Sequence, residues 1–235
     1  MVMPKKQPMA PSKTRCVTFI EEIAMLGAAC PGLAAAVVVG GESRRMGQAK
    51  AFLELAGTPL IEWVLAALRP LTAAIQLIGD DRAPYSSYGL PHHGDLLPGG
   101  ALAGIHSAIH HSGQPYTLVV ACDMPYLNVD LLRAMAEQTK RGQLDVIVPT
   151  VAGYPQGLHA IYHRRCLAAI ERRLRADRRR VIGFYPEVAV DYWDESRWQE
   201  YDPAGCSFIN LNTPEELDAA RSRLDRCQER MEQNE

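Results

Sequence analysis

No CxxC pair occurs among the six cysteines of this 235-residue chain, which are scattered at Cys16, Cys30, Cys122, Cys166, Cys206 and Cys227. That spacing argues against a zinc ribbon and against a disulfide framework, and it suits a reducing cytoplasm. Charge of one sign is not in excess either: 25 Lys and Arg against 27 Asp and Glu leave a net charge of −2. No basic field therefore points to a nucleic-acid partner. No apolar run is long enough to span a membrane. The two common phosphate-loop signatures are missing as well. Gly47 is followed by Gln48 and Ala49 rather than Lys-Ser/Thr, and Gly40, Gly41 and Gly47 do not have the spacing of G-x-G-x-x-G.

The most informative stretch is residues 33–50, an unbroken Val-rich apolar run that stops at Gly40-Gly41 and leads to Arg44, Arg45 and Lys50. Such a run suits a strand buried on both faces of a parallel sheet. Paired glycines let the backbone turn and approach a ligand closely, and exposed NH groups beside cationic side chains attract anions. The same residues also fit an ordinary strand-to-loop turn with a solvated Arg pair.

From residue 33 onward, strand-like and helix-like segments alternate. Strands are expected at 74–78, 117–122, 145–149 and 158–162. Helices are expected at 60–68 after Pro59, at 101–111, from an Asn128 cap through 138, and at 164–175. This predicts an α/β fold, a mostly parallel sheet flanked by helices, with ligands at the carboxyl ends of the strands. Residues 1–32 read as a non-catalytic, partly disordered extension. Its apolar patch is broken by Glu21-Glu22, unlike a signal peptide. Residues 33–225 read as one domain and 226–235 as a polar tail.

Several further residues could carry chemistry. Asp123 follows an apolar strand, where a carboxylate could ligate Mg²⁺ or cap the next turn. Residues 95–104, DLLPGGALAG, suggest a tight loop that opens a helix. In FINLNTPEEL, residues 208–217, Thr213, Pro214 and Glu216 form a helix-start signature, and strand alternation would put Asn210 and Asn212 on one face. The arginine-rich run at 172–180 suits a solvated helix face. His106 and His110 share a helix face but lack the Glu of HExxH. Tyr185, Tyr192, Trp193, Trp198 and Tyr201 read as packing.

In order along the chain, GGESRRMGQAK, DLLPGGALAG, ACDMPYL, QGLHAIY, DRRRV and N-x-NTPEEL resemble segments of the molybdenum cofactor guanylyltransferases. The resemblance covers nearly all of residues 33–224 and implies a Rossmann-like nucleotidyltransferase fold. By that resemblance Val38, Val39, Gly40, Gly41, Lys50, Gly79, Asp95, Gly100, Gly104 and Asp123 bind the nucleotide, and Arg45, Lys50 and Asp123 are catalytic. Asp123 also holds Mg²⁺, Asn210 and Asn212 lie near the metal and the substrate phosphates, and Arg179 and Arg180 meet the pterin substrate. The implied reaction joins GMP from GTP to the phosphate of molybdopterin, with transient contact to molybdoenzymes or their chaperones. Departures from the pattern are Val39 for Ala, Ala49 for Asp, Gly79 for Asn, and Ala101 and Gly157 for Pro. Paired glycines favour guanine. Alternatives are a cytidylyltransferase on the same pterin, a sugar-1-phosphate nucleotidylyltransferase, and a nucleotide-binding regulator without transfer activity.

Overall fold

A computed structural model describes residues 30–40, 49–213, 215–217 and 219–220. The expectations for the extension before residue 30, for Gly41, Arg44 and Arg45, for Pro214 and for the polar tail lie outside the described residues. In chain order the strands are β1 (Leu33–Val38), β2 (Glu54–Leu55), β3 (Thr58–Pro59), β4 (Ile75–Ile78), β5 (His92–His93), β6 (Tyr116–Ala121), β7 (Val146–Val151), β8 (Tyr154–Pro155), β9 (His159–His163) and β10 (Val190–Trp193). The α-helices are α1 (Leu60–Leu68), α2 (Ala101–His111), α3 (Val129–Gln138), α4 (Leu167–Arg175) and the short α5 (Glu195–Trp198).

The main sheet runs β10-β7-β9-β6-β1-β4-β5, with β8 paired to β7. β1 is parallel to both β4 and β6, β4 to β5, and β7 to β10. β8 and β9 are the exceptions, β8 antiparallel to β7 and β9 antiparallel to β6 and β7. The reversal begins at the tight turn after β7, where Ala152 and Gly153 have φ of 50° and 77°. Two successive positive φ angles suit a two-residue hairpin turn. The Glu195 carboxylate holds the Ala152 NH at 2.6 Å.

β1 lies between two layers of helix. Leu33, Ala35 and Val37 pack with α1 and α3 residues such as Leu65 and Leu132. Ala36 and Val38 pack with α2 and α4 residues such as Ile105 and Ile170. All six β1 residues are buried, which is why its sequence shows a continuous apolar run rather than alternation. α1 and α2 occupy the expected spans, and Asn128 Oδ1 caps α3 by accepting from Leu131 N at 2.9 Å. The expected helix at 164–175 starts as a 3₁₀ turn, Arg164–Cys166, before α4.

A smaller third cluster matters more for the site. Leu55, Leu60, Trp63, Leu211, Leu217 and Ala220 pack together, so the segment after residue 208 docks against the β2–β3 hairpin. Residues 209–213 do not join the sheet, because their backbone is tied to the loop after β6 instead. Leu211 N donates to Asp123 O at 2.9 Å. Leu211 is buried between exposed Asn210 and Asn212, so the alternation survives in an extended segment. Of the aromatic group, Tyr185, Trp193 and Trp198 are buried, whereas Tyr192 and Tyr201 reach solvent.

Candidate active site

The carboxyl ends of β1, β4 and β6 open onto one mouth. Lys50 enters it from the first residue of a 3₁₀ turn, Lys50–Phe52. Ala51 is buried, and the Phe52 ring stacks on Tyr85 with centroids 5.0 Å apart, so the lysine has a fixed base. Its Nζ donates to Asp123 Oδ2 at 3.2 Å and also to Asn212 Oδ1. The two charged side chains are 23 % and 14 % exposed. That shields the pair more than a surface ion pair, yet leaves it within reach of a ligand.

Asn212 is placed by the helix start that follows it. Thr213 N donates to Glu216 Oε2 at 3.0 Å, and Glu216 N donates to Thr213 Oγ1 at 3.2 Å. This reciprocal capping box was legible in TPEE. The same carboxylate also accepts from Asn212 N. Cys122, next to Asp123, is buried, and desolvation followed by the Asp123 charge pushes its thiol up to about 12. A thiol held there stays protonated and is a poor nucleophile.

The glycines show close backbone approach. A Cβ on Gly79 would sit 3.0 Å from Gly40 N and 3.1 Å from Val39 Cγ2, tighter than most side chains pack. Gly79 N donates to His93 O at 2.9 Å, and His92 Nε2 meets Gly79 O at 2.7 Å. Gly79 thus packs closely on Gly40 at the end of β1 while both its backbone groups are engaged by β5. The NH of Val39 bonds to Ile78 O at 2.8 Å, and its carbonyl accepts from Tyr85 Oη at 3.4 Å. The carbonyl of Val38 accepts from Cys122 N at 3.2 Å. Among the described residues the NH of exposed Gly40 has no partner, which leaves it available to an anion.

Asp95 lies in the loop between β5 and α2. A Cβ on Gly104 would lie 3.9 Å from Asp95 Oδ1 and 3.3 Å from Val38 Cγ1, so the bare surface of α2 lets the carboxylate sit near the end of β1. Partial desolvation, reinforced by Asp80, raises its pKa to about 6, although the residue as a whole is exposed. Gly100 precedes α2 with φ of +60° and ψ of −136°, a conformation for glycine. Asp80, Tyr85 and Ser107 were not singled out in the sequence. Asp80 had a signal, an acid in the turn at a strand's carboxyl end. A lone Tyr and a helical Ser had none.

Arg179 and Arg180 are not joined to the Lys50–Asp123–Asn212 group by any bond among the described residues. Exposed Arg179 pairs with Asp177 at 2.8 Å. The side chain of exposed Arg180 has no partner among the described residues, while its carbonyl accepts from Gly183 N at 2.9 Å. Asn210 is exposed beside buried Leu211 and makes no side-chain bond among the described residues.

Among the described residues no group of three or more His, Cys, Asp or Glu could hold a metal. A cation here would have one carboxylate, Asp123, and the neighbouring Asn212 amide oxygen. That hard oxygen set suits Mg²⁺, which takes few protein ligands and completes its shell from water and phosphate. Among the described residues no helix is long and apolar enough to cross a membrane.

Comparisons with known proteins agree with this geometry. The family model described as a MobA-like NTP transferase domain matches residues 35–188. A relative in Pelotomaculum thermopropionicum, named "Probable molybdenum cofactor guanylyltransferase", is 39 % identical over 79 % of this chain and 90 % of its own length. The molybdenum cofactor guanylyltransferase of Desulfosudis oleivorans is 32 % identical over 80 % of this chain and 94 % of its own. The crystal structure of molybdopterin-guanine dinucleotide biosynthesis protein A from Archaeoglobus fulgidus superposes with a TM-score of 0.72 at 30 % identity, covering 82 % of this chain and 99 % of that one. The family match, these relatives and the shared fold place the chain in the family of MobA-like NTP transferases, and it is a nucleotidyltransferase.

Proposed function

We propose that this chain transfers GMP from GTP to the phosphate of molybdopterin, forming the guanine dinucleotide cofactor and releasing pyrophosphate. The observation that carries the reading is the convergence of Lys50 on Asp123 and Asn212 at the carboxyl ends of β1 and β6. The names of the relatives, and the paired glycines of the loop, support the guanine nucleotide and the pterin.

The reaction asks little covalent chemistry of the protein. The second pKa of a phosphate monoester is about 6, so the acceptor is largely dianionic at neutral pH. One of its oxygens attacks the α-phosphorus, the bond to the β-bridging oxygen breaks, and pyrophosphate leaves with the electron pair. No proton has to be removed, so neither a general base nor the buried Cys122 thiol is needed. The protein's task is to align two anions and offset charge.

Lys50 serves the triphosphate, together with Gly40, Gly41 and Arg45. Val38, Val39 and Gly79 set the backbone of that cradle, and Asp95, Gly100 and Gly104 face the nucleoside. Asn210 serves the substrate phosphates, and Arg179 and Arg180 serve the pterin. Asp123, with Asn212 beside it, would hold Mg²⁺, which would supply Lewis-acid stabilisation of the phosphate charge. The enzyme works in the cytoplasm on residues 33–225, with transient contact to molybdoenzymes or their chaperones.

The test is pyrophosphate release that depends on molybdopterin and Mg²⁺, compared for GTP, CTP and ATP. GTP-selective release that Asp123→Ala abolishes supports the reading. Preference for CTP replaces it with a cytidylyltransferase, and release only with a sugar 1-phosphate acceptor replaces the pterin. GTP binding without release from any acceptor makes the chain a regulator.

A further inference from the structure

Two consecutive backbone NH groups of the loop before α2 are held from opposite sides by side chains that no part of the proposed reaction uses. Asp95 N donates to Asp80 Oδ1 at 3.2 Å, from the turn after β4. Leu96 N donates to Ser107 Oγ at 2.9 Å, from the buried face of α2. Ser107 is fully buried, so its hydroxyl is a fixed acceptor. Gly94 belongs to the same device, because a Cβ there would lie 3.2 Å from Asp80 Oδ1 and press on the acceptor.

The tie from position 80 is the more telling of the two. Asp80 is exposed, and in the absence of any tie, water could satisfy the Asp95 NH. An Asn would tie the loop without setting one carboxylate beside another. The Asp80 charge instead helps hold the Asp95 pKa above the ordinary range, a local cost of the kind that collects at functional sites. With the NH groups of residues 95 and 96 both fixed, the Asp95 side chain has a fixed root, and the bare Gly104 gives it its place near Val38.

We infer that Asp80 and Ser107 are positioning residues for Asp95, pinning its backbone from two sides so that its carboxylate stands fixed beside the end of β1 where the nucleoside enters. This rests on the reading of Asp95 as a nucleotide contact. The pins cost the enzyme nothing in chemistry and act only on nucleotide affinity.

The experiment is calorimetric binding of GTP with Mg²⁺ to the full chain. The variants are Asp95→Asn, Asp80→Ala, Asp80→Asn and Ser107→Ala, with Asp80→Ala also combined with Asp95→Asn. Asp95→Asn weakens binding. Asp80→Ala and Ser107→Ala each weaken it about fivefold, the loss expected for one hydrogen bond. Asp80→Asn, whose amide oxygen still accepts from the Asp95 NH, binds within twofold of the unaltered protein. In the Asp95→Asn background Asp80→Ala adds no further loss. Should Ser107→Ala fail to fold, the exposed position 80 carries the test alone. Normal affinity in Asp80→Ala beside weak binding in Asp95→Asn overturns the inference and leaves the nucleotide reading standing. So does a full further loss from Asp80→Ala in the Asp95→Asn background. Normal affinity in Asp95→Asn overturns both.

Discussion

Lys50 and Asp123 meet at 3.2 Å across 73 residues of sequence, one on the turn after the glycine loop and the other at the end of β6. Both are substantially shielded, so each depends on the other more than a surface pair does. Asp123→Ala and Lys50→Ala are each expected to lower kcat for pyrophosphate release by about 100-fold or more, the scale for losing one electrostatic stabiliser. Lys50→Arg should recover only part, because a planar fork does not replace a compact ammonium between a carboxylate and an amide. Unchanged thermal unfolding of the variants separates this from misfolding.

Gly79 should not tolerate a methyl group. Gly79→Ala pushes the β4 end away from Gly40, at a cost of about 1–3 kcal/mol in stability by analogy with other overpacked sites. Because the displaced atoms belong to the glycine loop, GTP affinity should fall as well. Urea unfolding and GTP titration of the same variant measure the two losses. An Asn at this position, the residue common in relatives by the resemblance above, should do worse than Ala here.

Asp95 should titrate near 6 in the free protein, above its usual 3.8, first through desolvation and then through Asp80. Its charged form is disfavoured in the folded state. The group therefore subtracts from stability as pH rises from its unfolded value toward 6, and the penalty is fully present above that. Asp80→Asn should lower the Asp95 pKa, visible in a ¹³C NMR titration of the carboxyl carbon. An unchanged pKa in that variant would exclude Asp80 as a cause.

His159 gives the opposite sign. It is fully buried against Phe208, with ring centroids 5.0 Å apart, and desolvation lowers its pKa to about 4. The unfolded chain takes up a proton near 6.5 and the folded chain does not. Stability contributed by the neutral ring is therefore complete above 6.5 and is lost as pH falls toward 4, on the order of 3 kcal/mol. His159→Phe should flatten the pH dependence of urea unfolding between pH 7.5 and 5.

The parts of this molecule legible in the sequence are those governed by local pattern. The apolar run of β1, the Asn128 cap and the Thr213–Glu216 box each follow from a few adjacent residues, and α1 and α2 fall on their expected spans. The direction of β9 was not legible, because Ala152-Gly153 carries no strong hairpin signal and an alanine with positive φ is unusual. Residues 209–213 carry strand-like alternation, but the bond from Leu211 to the Asp123 carbonyl decides their place, and a single sequence holds no trace of that pairing. Asp123 and Lys50 could be named separately from strand ends and loop charge. Their meeting with Asn212, and the pinning of Asp95 by Asp80 and Ser107, are long-range contacts that only folding reveals.

The docking of Leu211 and Leu217 on the β2–β3 hairpin has a consequence for the order of events during synthesis. Strands β1 to β10 are all complete by residue 193, so the sheet can be assembled while the chain is still being translated. Asn212 reaches Lys50 only after Leu211, Leu217 and Ala220 have emerged and seated beside Leu55, Leu60 and Trp63. A nascent or prematurely terminated chain ending near residue 205 therefore carries the sheet without a finished catalytic mouth.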